Sequence, residues 1–308
     1  MNQMKRPKRL KQGDKVGVVA PAGPVDPKIL KKGLRTLERM GFCPVLAEHV
    51  LAKDRYLAGT DEQRTQDLNS LFDDPEIRGI FCARGGYGAN RVLPGLDSSI
   101  IRRNPKVFVG SSDITLLLLF LVQQCSLVTF HGPMVAGNFG RYPMPKSKRQ
   151  LSEILFGNRA GKRLAVKSAR VFKPGIAEGK VIGGCLTLLC RSLGTPWEVK
   201  TRNKILFCED VSEPLYKIDG MLCHLKQAGK FKGIRGIVFG EMVDCRSFGK
   251  RGGSFEEILR DVFAGSSFPI LTDFPSGHGR EMLTLPMGVE ARLDTESKSL
   301  EFENCGVL

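Results

Sequence analysis

A pair of serines follows a short apolar run, residues 106–110, in the N-terminal half of the chain. The segment Ser111-Ser112-Asp113 separates this run from an apolar helical pattern. A hydroxyl at a tight strand-to-helix turn would face the free N–H groups and the positive end of the helix dipole, which suit a developing oxyanion. The segment resembles a nucleophile elbow, although Ile114 stands where Gly-x-Ser-x-Gly requires glycine. The alternative is that one of these side chains only caps the helix.

A glycine-rich segment follows another predicted strand, residues 79–83. It reads Arg84-Gly85-Gly86-Tyr87-Gly88, and adjacent glycines let backbone N–H groups approach a ligand closely. A dinucleotide-binding fingerprint is not satisfied, because Arg91 stands where its last glycine would be. The segment therefore either donates N–H groups to an oxyanion or forms a plain turn.

A serine hydrolase also needs a general base and a group that orients it. The chain has four histidines: His49, His131, His224 and His278. His278 lies between two glycines in a loop after a predicted strand, and His131, also just after a strand, is its rival. Glu209 directly follows the buried run 205–208, where its carboxylate could orient an imidazole or cap the next turn.

These residues lie at the ends of alternating strands and helices. Apolar runs at 16–20, 79–83 and 106–110 alternate with helical patterns at 27–40, 61–72 and 113–124. Such alternation predicts a parallel sheet with crossover helices. Later segments predict further strands and two helices, near 216–228 and 255–263. We therefore expect an α/β protein with domains at 1–140 and 176–308, joined by a basic linker at 141–175.

Composition excludes several classes of protein. With 42% apolar and 26% charged residues among 308, the chain is globular in composition. The longest apolar run, residues 114–122, is shorter than the about 20 residues that cross a bilayer, and the N-terminus lacks the apolar core of a signal peptide. Nine cysteines without a Cys-x-x-Cys pair argue against structural zinc and a disulfide framework. We expect a reduced, cytoplasmic protein with no membrane partner, metal or cofactor.

The net charge of +15 is concentrated in two stretches. Residues 1–15 carry six basic residues against one acidic residue, and residues 141–180 carry eleven against two. Neither stretch has the aromatic interleaving that stacks single-stranded bases. We interpret both as solvated surfaces. Recruitment of an anionic substrate is the alternative, and nucleic-acid binding is the least favoured.

Several ordered blocks point to one family. They include Gly13-Asp14-Lys15-Val16, Ala20-Pro21-Ala22-Gly23-Pro24, Tyr56-Leu57-Ala58-Gly59-Thr60-Asp61, Arg84-Gly85-Gly86-Tyr87-Gly88, Gly110-Ser111-Ser112-Asp113, His131-Gly132-Pro133, Gly194-Thr195-Pro196, Glu209-Asp210 and Gly277-His278-Gly279. Together they resemble the LD-carboxypeptidase family of serine peptidases over nearly the whole chain. An ordered set of blocks is more specific than any one of them.

The resemblance implies a flavodoxin-like, parallel-sheet N-terminal domain, a β-rich α/β C-terminal domain that carries the glutamate and the histidine, and a site between them. It implies Ser112 as the nucleophile, His278 as the general base and Glu209 as the residue that orients the imidazole. Backbone N–H groups of Gly86 and Asp113 would form the oxyanion hole. The implied reaction is cofactor-free hydrolysis of the L,D-peptide bond before a terminal D-alanine in cytoplasmic murein tetrapeptides, a step of cell-wall recycling, by a homodimer.

Two departures from the family pattern bear on the substrate rather than on the reaction. Cys185 stands where family members usually have asparagine, and Gly220 where they often have arginine. The first alternative function keeps the Ser-Glu-His chemistry but acts on a peptidyl nucleotide or another modified peptide. The second is a ligand-binding protein without catalytic activity.

Overall fold

The apolar runs of the sequence become the strands of two sheets. The computed structural model describes residues 4–158, 162–247 and 253–308. The helices in these ranges are α1 (Pro27–Arg39), α2 (Asp61–Asp73), α3 (Ala89–Val92), α4 (Ser98–Arg103), α5 (Thr115–Gln123), α6 (Pro145–Leu155), α7 (Leu186–Arg191), α8 (Leu215–Gln227) and α9 (Phe255–Phe263). The strands are β1 (Lys15–Val19), β2 (Cys43–Leu46), β3 (Ile77–Cys82), β4 (Val107–Gly110), β5 (Thr129–His131), β6 (Arg163–Ala165), β7 (Arg170–Lys173), β8 (Ile176–Cys185), β9 (Lys204–Val211), β10 (Gly236–Val243), β11 (Ile270–Thr272), β12 (Leu285–Met287), β13 (Glu290–Asp294) and β14 (Ser299–Phe302).

The first sheet has the strand order β12-β5-β4-β3-β1-β2. Strands β1 to β5 run parallel to their neighbours, and β12 pairs antiparallel with β5. The order β2-β1-β3-β4-β5 is that of flavodoxin-like folds, in which ligands bind at the carboxyl ends of the strands, where the order reverses. The predicted α/β fold is thus confirmed. The loops after β1 and β3 flank the reversal, and the serine pair follows β4.

The second sheet has the order β6-β14-β13-β8-β9-β10-β11-β7. Its central strands β8, β9, β10 and β11 are parallel, and antiparallel strands flank them on both sides. Glu209 lies within β9, and His278 lies in the loop that follows β11. The carboxyl ends of this parallel group therefore carry the other predicted site residues.

Helix α5 joins the two sheets at the elbow. All of residues 115–122 are buried, as expected for a helix that is apolar on every side, and α5 contacts both β5 and β8. At its first residue, the Thr115 hydroxyl accepts a hydrogen bond of 3.0 Å from the Cys185 N–H at the end of β8. The segment after the serine pair is thereby fixed to the second sheet.

Residues 141–175 contain α6, β6 and β7, the last two being strands of the second sheet. Helix α6 is held by Glu281, whose carboxylate accepts hydrogen bonds from the Ser147 N–H (2.8 Å) and hydroxyl (2.6 Å). The expected linker is therefore folded into the structure along most of its length, and β12 of the C-terminal half pairs in the first sheet. The exact domain boundaries stay a prediction. Within the described ranges, no helix has both the length and the hydropathy of a membrane span.

Close packing of α1 on the π-helical turn Val135–Phe139 predicts a destabilising substitution. A Cβ added at Gly33 of α1 would lie 2.1 Å from the Val135 carbonyl oxygen. Since the obstacle is backbone, we expect Gly33→Ala to lower the free energy of unfolding by about 1–3 kcal/mol, as overpacking does. Urea denaturation measures it.

The matched control is Gly220 in α8, where an added Cβ would meet nothing within 4 Å. Because alanine loses less backbone entropy than glycine in a helix, Gly220→Ala should raise the free energy of unfolding by about 0.5–1 kcal/mol. A Gly33→Ala protein as stable as the wild type would contradict the described contact between α1 and residues 135–139.

Candidate active site

The serine pair forms a strained turn between β4 and α5. Ser111 is extended, whereas Ser112 has φ +61°, a left-handed conformation that is uncommon and costly for residues other than glycine. Ser112 is half-buried and Ser111 is buried. In this described segment no side-chain hydrogen bond caps the 3₁₀ turn at Ser112 or α5. The capping alternative is therefore wrong, and the Ser112 hydroxyl is available for chemistry.

The glycine-rich segment lies directly against this turn. A Cβ on Gly85 would lie 2.8 Å from Ser112 Cβ, so only glycine allows the approach. The Gly85 carbonyl accepts a hydrogen bond of 3.0 Å from the Gly23 N–H. Because the C=O and N–H of a trans peptide point in opposite directions, this bond directs the Gly86 N–H away from Gly23. The loops after β1 and β3 thus orient one of the predicted oxyanion donors.

Asp113 ties the elbow to the glycine-rich segment. Its buried carboxylate accepts a hydrogen bond of 2.7 Å from the Ala89 N–H at the start of α3, so the side chain supports the neighbouring helix. Burial raises the pKa of Asp113, and backbone donors oppose the rise. Among the described residues, neither the Gly86 N–H nor the Asp113 N–H donates to another protein group. Both N–H groups remain available as donors.

Glu209 and His278 are in direct contact. Glu209 Oε2 lies 2.6 Å from His278 Nδ1, and the side chains are 0% and 22% exposed. A Cβ on Gly277, whose φ is +143°, would lie 2.9 Å from Glu209 Oε2. Glycine before His278 therefore lets the loop come close enough for the imidazole to reach the carboxylate. The geometry leaves Nε2 as the ring nitrogen that can exchange a proton with another group.

Glu209 and His278 each change the pKa of the other. Burial lowers the pKa of His278, but the charge and hydrogen bond of Glu209 raise it, and the net direction is upward from 6.5. Burial raises the pKa of Glu209, and the imidazole opposes that rise. The carboxylate therefore stabilises an imidazolium, the species formed when a histidine accepts a proton.

Glu209 and its neighbour Asp210 have separate partners, since successive side chains of a strand point to opposite faces. Asp210 accepts hydrogen bonds from the Thr187 N–H (2.8 Å) and hydroxyl (2.9 Å) in the first turn of α7. The Cys185 thiol, one of the two departures from the family pattern, lies 3.7 Å from the same carboxylate. Of the two acids, Glu209 contacts the histidine and Asp210 anchors a helix.

His131, the rival base, is in a different environment. It is the last residue of β5, is fully buried, and packs edge-on against Phe207 at 5.0 Å between ring centroids. Burial, and to a smaller extent the nearby His278, lowers the pKa of His131 to about 3. Within the described chain neither of its ring nitrogens has a hydrogen-bond partner. The geometry favours His278, which has a carboxylate partner.

Glu241 is a site residue that the sequence reasoning missed. It lies at a register irregularity of β10, and its carboxylate accepts a hydrogen bond of 3.1 Å from the Gly279 N–H. Burial raises the pKa of Glu241, the Gly279 N–H opposes the rise, and Glu209 adds to it. Glu241 thus anchors the loop that carries His278. An acidic residue within the apolar run 236–243 was the signal available in the sequence.

A cavity of about 350 Å³ is lined by residues from both halves of the chain. The loops after β3 and β4 contribute Gly86 and Ser112, and the second sheet contributes Val211 and His278. In the described structure the Ser112 hydroxyl is not hydrogen bonded to the imidazole; such bonds often tighten only with substrate bound. The parts of the chain described here contain no cluster of three or more His, Cys, Asp or Glu residues suited to a metal ion.

Both halves of the chain match one known family of peptidases. The profile of the LD-carboxypeptidase N-terminal domain matches residues 16–132, and that of the C-terminal domain matches residues 178–293. A probable murein peptide carboxypeptidase of Bacillus subtilis is 38% identical, with 97% of this chain and 94% of that protein covered. The murein tetrapeptide carboxypeptidase of Pseudomonas aeruginosa is 34% identical, with 91% and 93% covered.

Among solved structures, the microcin C7 self-immunity protein, known from Escherichia coli, has been determined with aspartyl sulfamoyl adenosine. It matches with a TM-score of 0.89 and 27% identity, over 97% of this chain and 98% of that chain. Both the sequence and the fold of this chain therefore match these proteins over nearly its whole length. The chain belongs to the LD-carboxypeptidase family and is, by that membership, a serine-type carboxypeptidase.

Proposed function

We propose that this protein hydrolyses the L,D-peptide bond before a terminal D-alanine in murein tetrapeptides. The observation that carries the chemistry is the contact between the buried Glu209 carboxylate and the imidazole of His278, which lines the same cavity as Ser112. The substrate is supported by the relatives named for murein peptides, at 34% and 38% identity. A cytoplasmic location, a homodimer and a muropeptide as the partner are part of the same proposal.

The first half of the reaction makes an acyl-enzyme. Ser112 Oγ attacks the carbonyl carbon of the scissile bond while His278 Nε2 accepts the hydroxyl proton. Glu209 keeps the proton of the ring on Nδ1 and stabilises the imidazolium. The N–H groups of Gly86 and Asp113 donate to the oxyanion, where fixed donors contribute most to rate.

The second half releases the enzyme. The imidazolium gives its proton to the amine of D-alanine, the C–N bond breaks, and the shortened peptide remains as an ester on Ser112. Water then attacks the ester carbon while His278 accepts its proton, and return of that proton to Ser112 Oγ frees the carboxylic acid product. The same side chains therefore serve both steps, and in each step the imidazole first accepts a proton and then donates it.

A second substrate class is favoured by one specific observation. The self-immunity protein that shares the fold at a TM-score of 0.89 has been solved with an aminoacyl sulfamoyl nucleoside. The same Ser-Glu-His chemistry on a peptidyl nucleotide is therefore the alternative proposal. We rank this substrate class second because the sequence identity to that protein is 30%, against 38% for the Bacillus subtilis relative.

Release of free D-alanine from a defined murein tetrapeptide tests the proposal. We expect the wild type to release D-alanine, and Ser112→Ala to abolish release with an unchanged thermal midpoint, since Ser112 is half-buried and its side chain makes no hydrogen bond in the described structure. A coupled D-amino-acid assay measures the release of D-alanine.

The matched control is Ser111→Ala, which removes the buried neighbouring hydroxyl and should leave turnover close to the wild type. Inactivation by Ser111→Ala with activity retained in Ser112→Ala would overturn the nucleophile assignment. Turnover of a peptidyl nucleotide with no release of D-alanine would replace the leading substrate by the alternative.

The coupling of Glu209 to His278 predicts a pH effect. The base must be neutral to accept a proton, so kcat/KM should fall as pH decreases through the raised pKa of His278. Glu209→Gln removes the charge that raises this pKa, so the acid limb should move to lower pH. The plateau kcat should fall by about 10²–10⁴-fold, since the equivalent change in a serine protease costs about 10⁴.

Glu213→Gln is the matched control, because Glu213 pairs with Lys217 at 3.7 Å rather than with the histidine, and its profile should stay that of the wild type. Suppose instead that Asp210→Asn abolished turnover and Glu209→Gln left it intact. Asp210, and not Glu209, would then be the residue that orients His278.

A further inference from the structure

Arg84 places a guanidinium in the wall of the catalytic cavity. It is the first residue of the glycine-rich segment, is half-buried, and lines the cavity together with Gly86 and Ser112. One terminal nitrogen, Nη1, donates a hydrogen bond of 2.9 Å to the Pro24 carbonyl. The side chain is therefore held in place by the loop after β1, and it shares the wall of the cavity with the proposed nucleophile.

The guanidinium lies against the predicted oxyanion loop. A Cβ on Gly86 would lie 3.6 Å from Arg84 Nη2, and a Cβ on Gly23 would lie 3.7 Å from Arg84 Cζ. The second terminal nitrogen is thus the part of the group nearest to Gly86. A substrate whose carbonyl oxygen reaches the Gly86 N–H would bring its next atoms within reach of Arg84.

Within the described ranges no carboxylate forms an ion pair with Arg84, whereas two other arginines near this loop, Arg64 and Arg91, both pair with Asp61. Asp26 is the acidic residue among those described as lining the cavity. Its carboxylate accepts hydrogen bonds from the Lys28 and Ile29 N–H groups at the start of α1. Among the described residues, the positive charge of Arg84 therefore has no counter-charge in contact with it.

We propose that Arg84 binds the free α-carboxylate of the residue that is released, and so restricts the enzyme to C-terminal bonds. In such a substrate only three covalent bonds separate the scissile carbonyl carbon from the terminal carboxylate carbon. A cation for that carboxylate must therefore lie close to the oxyanion donors, which is where Arg84 lies. A guanidinium suits this task because its planar N–H donors match the geometry of a carboxylate.

This inference rests on the proposed function, since it concerns the leaving residue of the same reaction. It adds a specificity determinant that acts on the terminal carboxylate. Ser112 and the two N–H donors, and not Arg84, act on the reacting carbonyl. Substitution of Arg84 should therefore change the preference of the enzyme between substrates more than its ability to cleave the peptide bond.

The test compares two tetrapeptides that differ only at the end, one with a terminal D-alanine carboxylate and one with a terminal D-alaninamide. We expect the wild type to prefer the acid by roughly 10²-fold in kcat/KM, because an unpaired charge in the cavity is costly. Arg84→Gln should lose about the same factor on the acid, largely in KM, and change little on the amide. Arg84→Lys should recover part of the preference, since it keeps the charge without the planar donors.

Arg141→Gln is the control, because Arg141 also lines the cavity but is exposed; it should keep the preference for the acid. Retained cleavage of the amide by Arg84→Gln shows that this variant is folded. The assignment would be overturned if Arg84→Gln kept the preference for the acid, or if Arg141→Gln removed that preference instead. It would also be overturned if Arg84→Gln lowered kcat/KM equally on the acid and on the amide. A wild type that cleaves neither peptide would overturn the proposed function itself, and this inference with it.

Discussion

A carboxylate removed from water is stable only where a donor replaces the water that it loses. Glu209 is completely buried, one of its oxygens contacts His278 Nδ1, and the other has no hydrogen-bond partner among the described residues. The imidazole is thus the side chain on which this buried charge depends, and the carboxylate in turn raises the pKa of the imidazole. Gly277, which allows the close approach, and Glu241, which anchors the loop at Gly279, both serve this contact.

The contact belongs to the second sheet, whereas the proposed nucleophile and oxyanion donors belong to the first. The cavity is complete only because the carboxyl ends of both parallel groups of strands open into it. Helix α5 fixes this arrangement, since it begins just after Ser112 and accepts a hydrogen bond from the end of β8 through Thr115. The strained φ of Ser112 is consistent with this fixed arrangement, because strain persists where the surrounding structure holds the backbone in place.

Local pattern was enough to predict the elements that position the site. Strands with buried apolar runs and helices with clear periodicity, such as residues 27–40 and 255–263, were found close to their observed bounds. The pairing of β12 in the first sheet could not be predicted, because this strand has three residues, one of them Pro286, and depends on tertiary contacts. Likewise, no local signal distinguishes the paired Arg91 from the unpaired Arg84, because ion pairing depends on Asp61, far away in sequence. The contact of Glu209 with His278 also joins distant segments, and only the family resemblance indicated it.

We propose that Glu209 and His278 activate Ser112 across the boundary between the two sheets. Labelling with a fluorophosphonate tests it most directly, because the reagent reacts with an activated serine and peptide mass analysis identifies the residue. We expect one adduct, on Ser112, that forms more slowly as pH falls through the raised pKa of His278 and is lost in His278→Ala. An adduct on Ser111, or labelling of Ser112 that is unaffected by the removal of His278, would contradict it.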